Sequence, residues 1–246
     1  MCYIKSMIRI ILFVSAFFMT PHYLFAQASY PQPQPPGPPP PIMERQQKSV
    51  PLKKVSPGVF RLGDIEINKN TKSIVLPALI NMDRGLLEYV LVRTGGKTHE
   101  SLFRTQVQPY DLQVAFLLLG FEGTDSPLHH QGAQEKPKGE PVVITITYTK
   151  ANGKSATITP EEWIVHSREN KAINVKKLDW VFTGSTVANG HFLAQMDGSI
   201  IAIYHDPVAL IDNASEGGGM HNSWFVKEGS VPPVGTPVTL TIKGKK

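Results

Sequence analysis

Cysteine is nearly absent: the chain has one in 246 residues, Cys2. That excludes an internal disulfide framework and any site built from four cysteines, whether zinc or iron–sulfur. Charge is sparse, at 18% of residues, with 25 Lys+Arg against 20 Asp+Glu. No cationic run exceeds the pairs Lys53-Lys54, Lys176-Lys177 and Lys245-Lys246, so nothing supports a nucleic-acid partner. Long hydrophobic runs are missing too. Residues 10–19 make an apolar run of ten, well short of the roughly 20 residues that a membrane-crossing helix needs. There is no H-E-x-x-H and no pair of histidines at i, i+4, and Gly217-Gly218-Gly219 neither follows a strand nor opens a helix as a phosphate cradle would. No cofactor is expected. What is present, 41% hydrophobic residues in a chain of this length, supports a domain of ordinary size with a real core.

The N-terminal stretch reads as an address. Lys5 and Arg9 precede the apolar run and Pro21 closes it. Ala26-Gln27-Ala28 then puts small residues at the −3 and −1 positions of a signal-peptidase site. Residues 1–28 are therefore expected to be a signal peptide, giving an exported protein of the periplasm or extracellular space; the alternative is an uncleaved anchor. Removal would discard Cys2 and leave 23 basic against 20 acidic residues, with no transmembrane span. Residues 31–41 contain eight prolines, which favour solvated polyproline II and bar helix or ladder. With the polar residues that follow, residues 29–54 are expected to form a disordered, proline-rich linker, read as a spacer rather than a docking ligand. Residues 55–246 then make a single domain.

Within that domain, short alternating segments are separated by turn chemistry. Residues 64–68 and 73–80 flank Lys69-Asn70-Thr71-Lys72. Residues 142–149 and 155–159 flank Asn152-Gly153, and residues 191–196 and 199–205 flank Asp197-Gly198. Each pair is expected to be a β-hairpin. Residues 86–93 and 98–105 flank Gly95-Gly96, whose tolerance of positive φ suits a two-residue hairpin turn. Residues 238–242 read as a terminal strand. One helix stands out, at about 109–119, with Pro109 in its first turn and Leu112, Ala115, Phe116 and Leu119 on one stripe. Thr159-Pro160-Glu161-Glu162 has the form of a capping box, leading into either helix or strand. Residues 121–141 form a long polar loop. The expected class is α+β: sheet-dominated, mostly antiparallel hairpins, with that one helix packed on the sheet.

Several strings, taken together and in order, resemble a known family. They are Pro77-Ala78-Leu79-Ile80-Asn81, Gly85-Leu86-Leu87-Glu88-Tyr89, Gly96-Lys97-Thr98-His99-Glu100-Ser101-Leu102, Leu117-Leu118-Leu119-Gly120, Trp180-Val181-Phe182-Thr183-Gly184-Ser185 and Pro232-Pro233-Val234-Gly235-Thr236-Pro237-Val238. The chain resembles the YdjY-domain family of exported bacterial proteins over about residues 58–242. The resemblance implies the domain boundary and an envelope address, and brings no mechanism. An iron–sulfur role described for some relatives does not transfer, because no cysteine follows Cys2.

The Gly95-Gly96 turn carries the candidate site. A two-residue hairpin sets Val92 opposite His99 and Val90 opposite Ser101, so Glu88, His99 and Ser101 share one face and Glu100 points to the other. A one-residue slip would bring Glu100 beside Glu88, a repulsive pairing. His99 and Ser101 lie about 6.6 Å apart by strand rise, too far for a nucleophile–base bond. No catalytic and no metal residue is assigned; His99, Ser101 and Glu88 stand as candidate binding residues. The remaining histidines, His129, His130, His166, His191, His205 and His221, read as scattered surface residues. Trp163, Trp180, Phe182 and Trp224 read as core rather than as a stacking platform. The expectation is a non-catalytic envelope module binding a protein or cell-wall ligand. The competing expectation is a small hydrolase or metal-dependent enzyme centred on His99.

Overall fold

A computed structural model describes residues 50–168 and 171–245. Residues 1–49, where the signal peptide and most of the proline-rich linker are expected, lie outside the described residues. In chain order the strands are β1 (Leu52–Ser56), β2 (Val59–Leu62), β3 (Ile65–Asn68), β4 (Ser73–Ile80), β5 (Tyr89–Arg93) and β6 (Ser101–Thr105), followed by helix α1 (Pro109–Leu118). Next come β7 (Glu140–Thr149), β8 (Ser155–Ile158), β9 (Ile164–Arg168), β10 (Lys171–Asn174) and β11 (Trp180–Phe182). The two-residue strands β12 (Val187–Ala188) and β13 (His191–Phe192) precede a short helix, α2 (Leu193–Asp197). Then β14 (Ser199–Ala202), β15 (Ile211–Asn213), β16 (Trp224–Val226) and β17 (Pro237–Gly244) follow. Strand β1 straddles the boundary expected at residue 55.

Eight strands close into a barrel in the order β4-β17-β7-β11-β15-β14-β5-β6, with β6 pairing back onto β4. The α+β expectation is therefore corrected. The described residues are 41% strand and 11% helical, and α1 is the one substantial helix beside a closed barrel. The class fails for a physical reason. Local signals identified the strands singly, but closure is a long-range pairing that removes every edge of the ring. No helix among the described residues is long and apolar enough to cross a membrane.

The wall follows from alternation. Ile74, Leu76, Ala78 and Ile80 of β4 point inward, as do Leu240 and Ile242 of β17 and Ile144 and Ile146 of β7, all buried. Pro77, Leu79, Thr239 and Thr149 face out. Phe116 of α1 stacks on Phe182 of β11 at a centroid distance of 4.1 Å. Trp163, Trp180 and Trp224 are buried in the same core, each at 3% exposure or less.

Two expected hairpins form and two do not. Strands β3 and β4 pair antiparallel with Asn68 opposite Ser73, and β7 and β8 pair with Thr149 opposite Ser155. Across Gly95-Gly96, however, β5 and β6 run parallel, with Tyr89 opposite Ser101 and Val92 opposite Arg104. Only Gly95 has a positive φ, 93°, whereas a type I′ turn requires it at both central residues. The chain instead makes a 3₁₀ turn over Thr98–Glu100, and β6 begins beyond it. Asn81 at the end of β4 holds that turn, its amide donating to the carbonyls of Thr98 and Ser101, the latter at 2.7 Å. Closing the barrel through β4 and β6 outweighs the local preference for a hairpin. At Asp197-Gly198, Gly198 adopts φ 75° as the left-handed cap of α2 and its N–H donates to Ala194. The dipeptide ends a helix there and does not join two paired strands.

Candidate functional site

The parallel register disperses the predicted site residues. His99 sits in the 3₁₀ turn with its side chain 78% exposed, its Nε2 3.5 Å from the Glu100 carboxylate. That pairing was impossible on a regular strand and becomes natural in a turn. Ser101 is fully buried, and its Oγ donates to the Phe103 carbonyl at 2.7 Å. Glu88 is nearly buried. Its carboxylate accepts from Gln131 Nε2 at 2.9 Å and pairs with His221 Nε2 at 3.0 Å. The three residues form no hydrogen-bonded set.

Glu100 comes close to Glu88 after all: the Glu88 N–H donates to the Glu100 carbonyl at 2.9 Å. Burial, reinforced by the Glu88 charge, pushes the Glu100 carboxyl above its usual range, while His99 and Lys97 pull it back. The repulsion that argued against this neighbourhood is opposed by His99 and Lys97 beside it.

Beneath this rim lies a buried polar knot that sequence reasoning did not assemble. The Tyr89 hydroxyl donates to Asp206 Oδ2 at 2.6 Å and accepts from Lys97 Nζ at 2.6 Å. Burial first, and then the Asp206 charge, push that hydroxyl far above the tyrosine range, so it remains an O–H donor. Asp206 also accepts from the Val208 N–H, and its own N–H donates to Asp212. Burial pushes the Asp212 carboxyl well up. His205, expected at the surface, is 1% exposed and lies between the carbonyls of Ala133 and Asn213 at 2.7 and 2.8 Å. Gln131 and Ala133 belong to the long loop, so the knot stitches that loop to the barrel. Among the described residues no three His, Cys, Asp or Glu side chains converge as metal ligands.

The open feature lies on the outer wall. Strand β4 shares one edge with two partners: β3 pairs with it up to Val75, and β6 pairs from Leu79 onward. Pro77 falls in the gap. Ile80 donates to Thr236 on the β17 side, so by antiparallel alternation the N–H that Pro77 lacks would point at the fork, where no strand requires it. Thr105 Oγ1 donates to the Pro77 carbonyl at 2.7 Å and pins the fork from the β6 side. The divergence of β3 from β6 opens a cleft of about 660 Å³ that continues over β17, β7 and β8. Its floor is Pro77, Leu79 and Pro237, and Thr149, Thr239 and Ser155 contribute hydroxyls. Arg104 and Asp64 stand at the fork end. The Arg104 Nε is buried with no hydrogen-bond partner. The sequence signal for this cleft was Pro77 itself, a proline in mid-strand.

No curated protein and no solved structure matches the chain. The YdjY domain matches residues 65–243, from the first residue of β3 to the penultimate residue of β17 and hence the whole barrel. The chain belongs to the YdjY domain family.

Proposed function

We propose that the protein is an exported, non-catalytic module of the bacterial cell envelope that holds a protein or cell-wall ligand in the outer-wall cleft. The observation that carries this reading is the cleft at the β4 fork. It is concave, with an apolar floor, a hydroxyl wall and two charged residues at one end, which is the make-up of a binding site. The leader and proline-rich spacer read from the sequence support an exported, tethered domain. The competing enzyme reading centres on His99, and Ser101 does not hydrogen-bond to that residue: its buried hydroxyl donates to the Phe103 carbonyl.

The test is site-specific photocrosslinking in exporting bacterial cells, with a photoreactive residue replacing Thr239 in the cleft or the exposed Met196 on α2. The reading predicts a covalent adduct from position 239 that disappears when Leu79→Glu is added, and none from position 196. Equal adducts from both positions, or none from position 239, would remove it.

A further inference from the structure

We infer that the ligand of this cleft is an extended peptide, recognised by its free C-terminal carboxylate at Arg104. The inference rests on the binding reading above and names the chemistry that the cleft selects. Arg104 belongs to β6, stands opposite Leu79 of β4, and lines the cleft. No ion pair among the described residues includes it. Its Nε is withdrawn from solvent and unbonded. A guanidinium is always charged and offers a rigid fork of donors that fits a carboxylate through two parallel hydrogen bonds. A buried donor left unpaired is destabilising, and an incoming carboxylate would offset that cost.

Asp64 narrows the choice of anion. It directly precedes β3, two register positions beyond the Glu66–Val75 pair, which places it level with Pro77 at the mouth of the same fork. No ion pair among the described residues includes it either. A carboxylate two register positions from the arginine along β4 disfavours a dianion such as phosphate more than a monocarboxylate, and it accepts from a hydrogen-bond donor. The last residue of a peptide presents both required groups side by side: a carboxylate for Arg104 and an amide N–H for Asp64. Away from that end, the cleft crosses from the fork over β4, β17 and β7 to β8. Four inter-strand steps of about 4.8 Å make roughly 19 Å, the length of about six extended residues. Pro77, Leu79 and Pro237 offer apolar contact along the way, and Thr239, Thr149 and Ser155 offer hydroxyls to the peptide backbone.

The experiment uses the full-length chain and an N-acetylated alanine–leucine hexapeptide, either with a free C-terminus or as its C-terminal amide. Binding is followed by fluorescence anisotropy, and the location by amide NMR shifts. The free acid is expected to bind at least about tenfold more tightly than the amide, equivalent to about 1.4 kcal/mol, with shifts at Leu79, Arg104 and Thr239. Arg104→Gln should bring acid and amide within about twofold of each other while the melting temperature stays near wild type. If that variant fails to fold, Arg104→Lys, which keeps the charge and loses the fork, should lose most of the preference. Inorganic phosphate at tenfold excess should not displace the peptide. Equal binding of acid and amide, a preference that survives both Arg104 substitutions, displacement by phosphate, or no shifts at the cleft would each overturn the assignment. Crosslinking at position 239 without acid preference would remove the carboxylate alone and leave the binding reading standing.

Discussion

Replacing Tyr89 with phenylalanine tests whether the buried knot holds the barrel and loop together. The substitution removes one oxygen and keeps the ring, including the Lys97 ammonium 4.9 Å from its centroid. The lost bond is the O–H donated to Asp206 at 2.6 Å, charge-assisted and inside a carboxylate environment that is 2% exposed. Such bonds contribute about 1.5–3 kcal/mol. Lys97 also loses its 2.6 Å acceptor, but its side chain is 30% exposed and its Nζ already lies 3.8 Å from Asp206, so it turns to that carboxylate or to water at little cost. The net expectation is about 2 kcal/mol. For a domain of this size each kcal/mol lowers the melting temperature by about 2–4 °C, so the expected fall is roughly 4–8 °C. Thermal unfolding followed by circular dichroism measures it. A double-mutant cycle with Asp206→Asn should return a coupling of about 1 kcal/mol or more. A Tyr89→Phe protein melting within about 1 °C of wild type, or a coupling near zero, would refute the reasoning, since the magnitude depends on this bond.

Three further outcomes follow from the same geometry. His99→Ala should change stability by less than about 0.5 kcal/mol, because its one ion pair is exposed, whereas Ser101→Ala should cost about 1 kcal/mol through the buried bond to Phe103; chemical denaturation of both variants separates the two. Gly96→Ala should destabilise by about 1–3 kcal/mol, since an added Cβ would meet the Asp197 carbonyl oxygen at 2.8 Å, backbone that cannot swing aside; a neutral variant would show that Gly96 and the end of α2 are not in contact. Glu100→Gln should stabilise the protein at pH 7 by a few tenths of a kcal/mol after solvent screening. Its carboxyl is raised in the folded state, so wild type carries a penalty above that raised value, and the penalty disappears as pH falls through it toward the ordinary carboxylate range. The gap between variant and wild type in denaturation midpoint should shrink accordingly from pH 7 to pH 4, and a gap that widens on acidification would contradict the sign.

What the sequence made legible was local. The β3–β4 and β7–β8 hairpins were readable because alternation and turn chemistry fall within fifteen or so residues. The Thr159 capping box was equally local: Glu162 reaches back to the Thr159 N–H, and the chain then turns into β9. What escaped was long-range. Gly95-Gly96 carries a hairpin signal, yet β6 is claimed on its other side by β4 and held by Asn81, so it returns parallel to β5. That change of direction moved His99 to the surface and Ser101 into the core, and it left Glu88 to partners 43 and 133 residues away in sequence, Gln131 and His221. The knot of Tyr89, Lys97 and Asp206 escaped for the same reason: Tyr89 and Asp206 are 117 residues apart. The cleft alone left a trace, in the proline at mid-strand.

Everything about the cleft depends on β6 running parallel to β5 and pairing onto β4, and a disulfide scan measures that directly. Once Cys2 is replaced by serine, the sequence provides a cysteine-free background. Arg93 and Thr105 are register partners in the parallel pair, within the Cα separation of about 4.4–6.8 Å that a disulfide spans. Val92 and His99 would be partners only in the antiparallel hairpin. Mild oxidation of Arg93→Cys/Thr105→Cys should close the bond, seen as a mobility shift on a non-reducing gel and a mass loss of about two hydrogens, while Val92→Cys/His99→Cys should stay reduced. Ready closure of the second pair with an open first pair would contradict the barrel, the fork at Pro77 and the site built upon it.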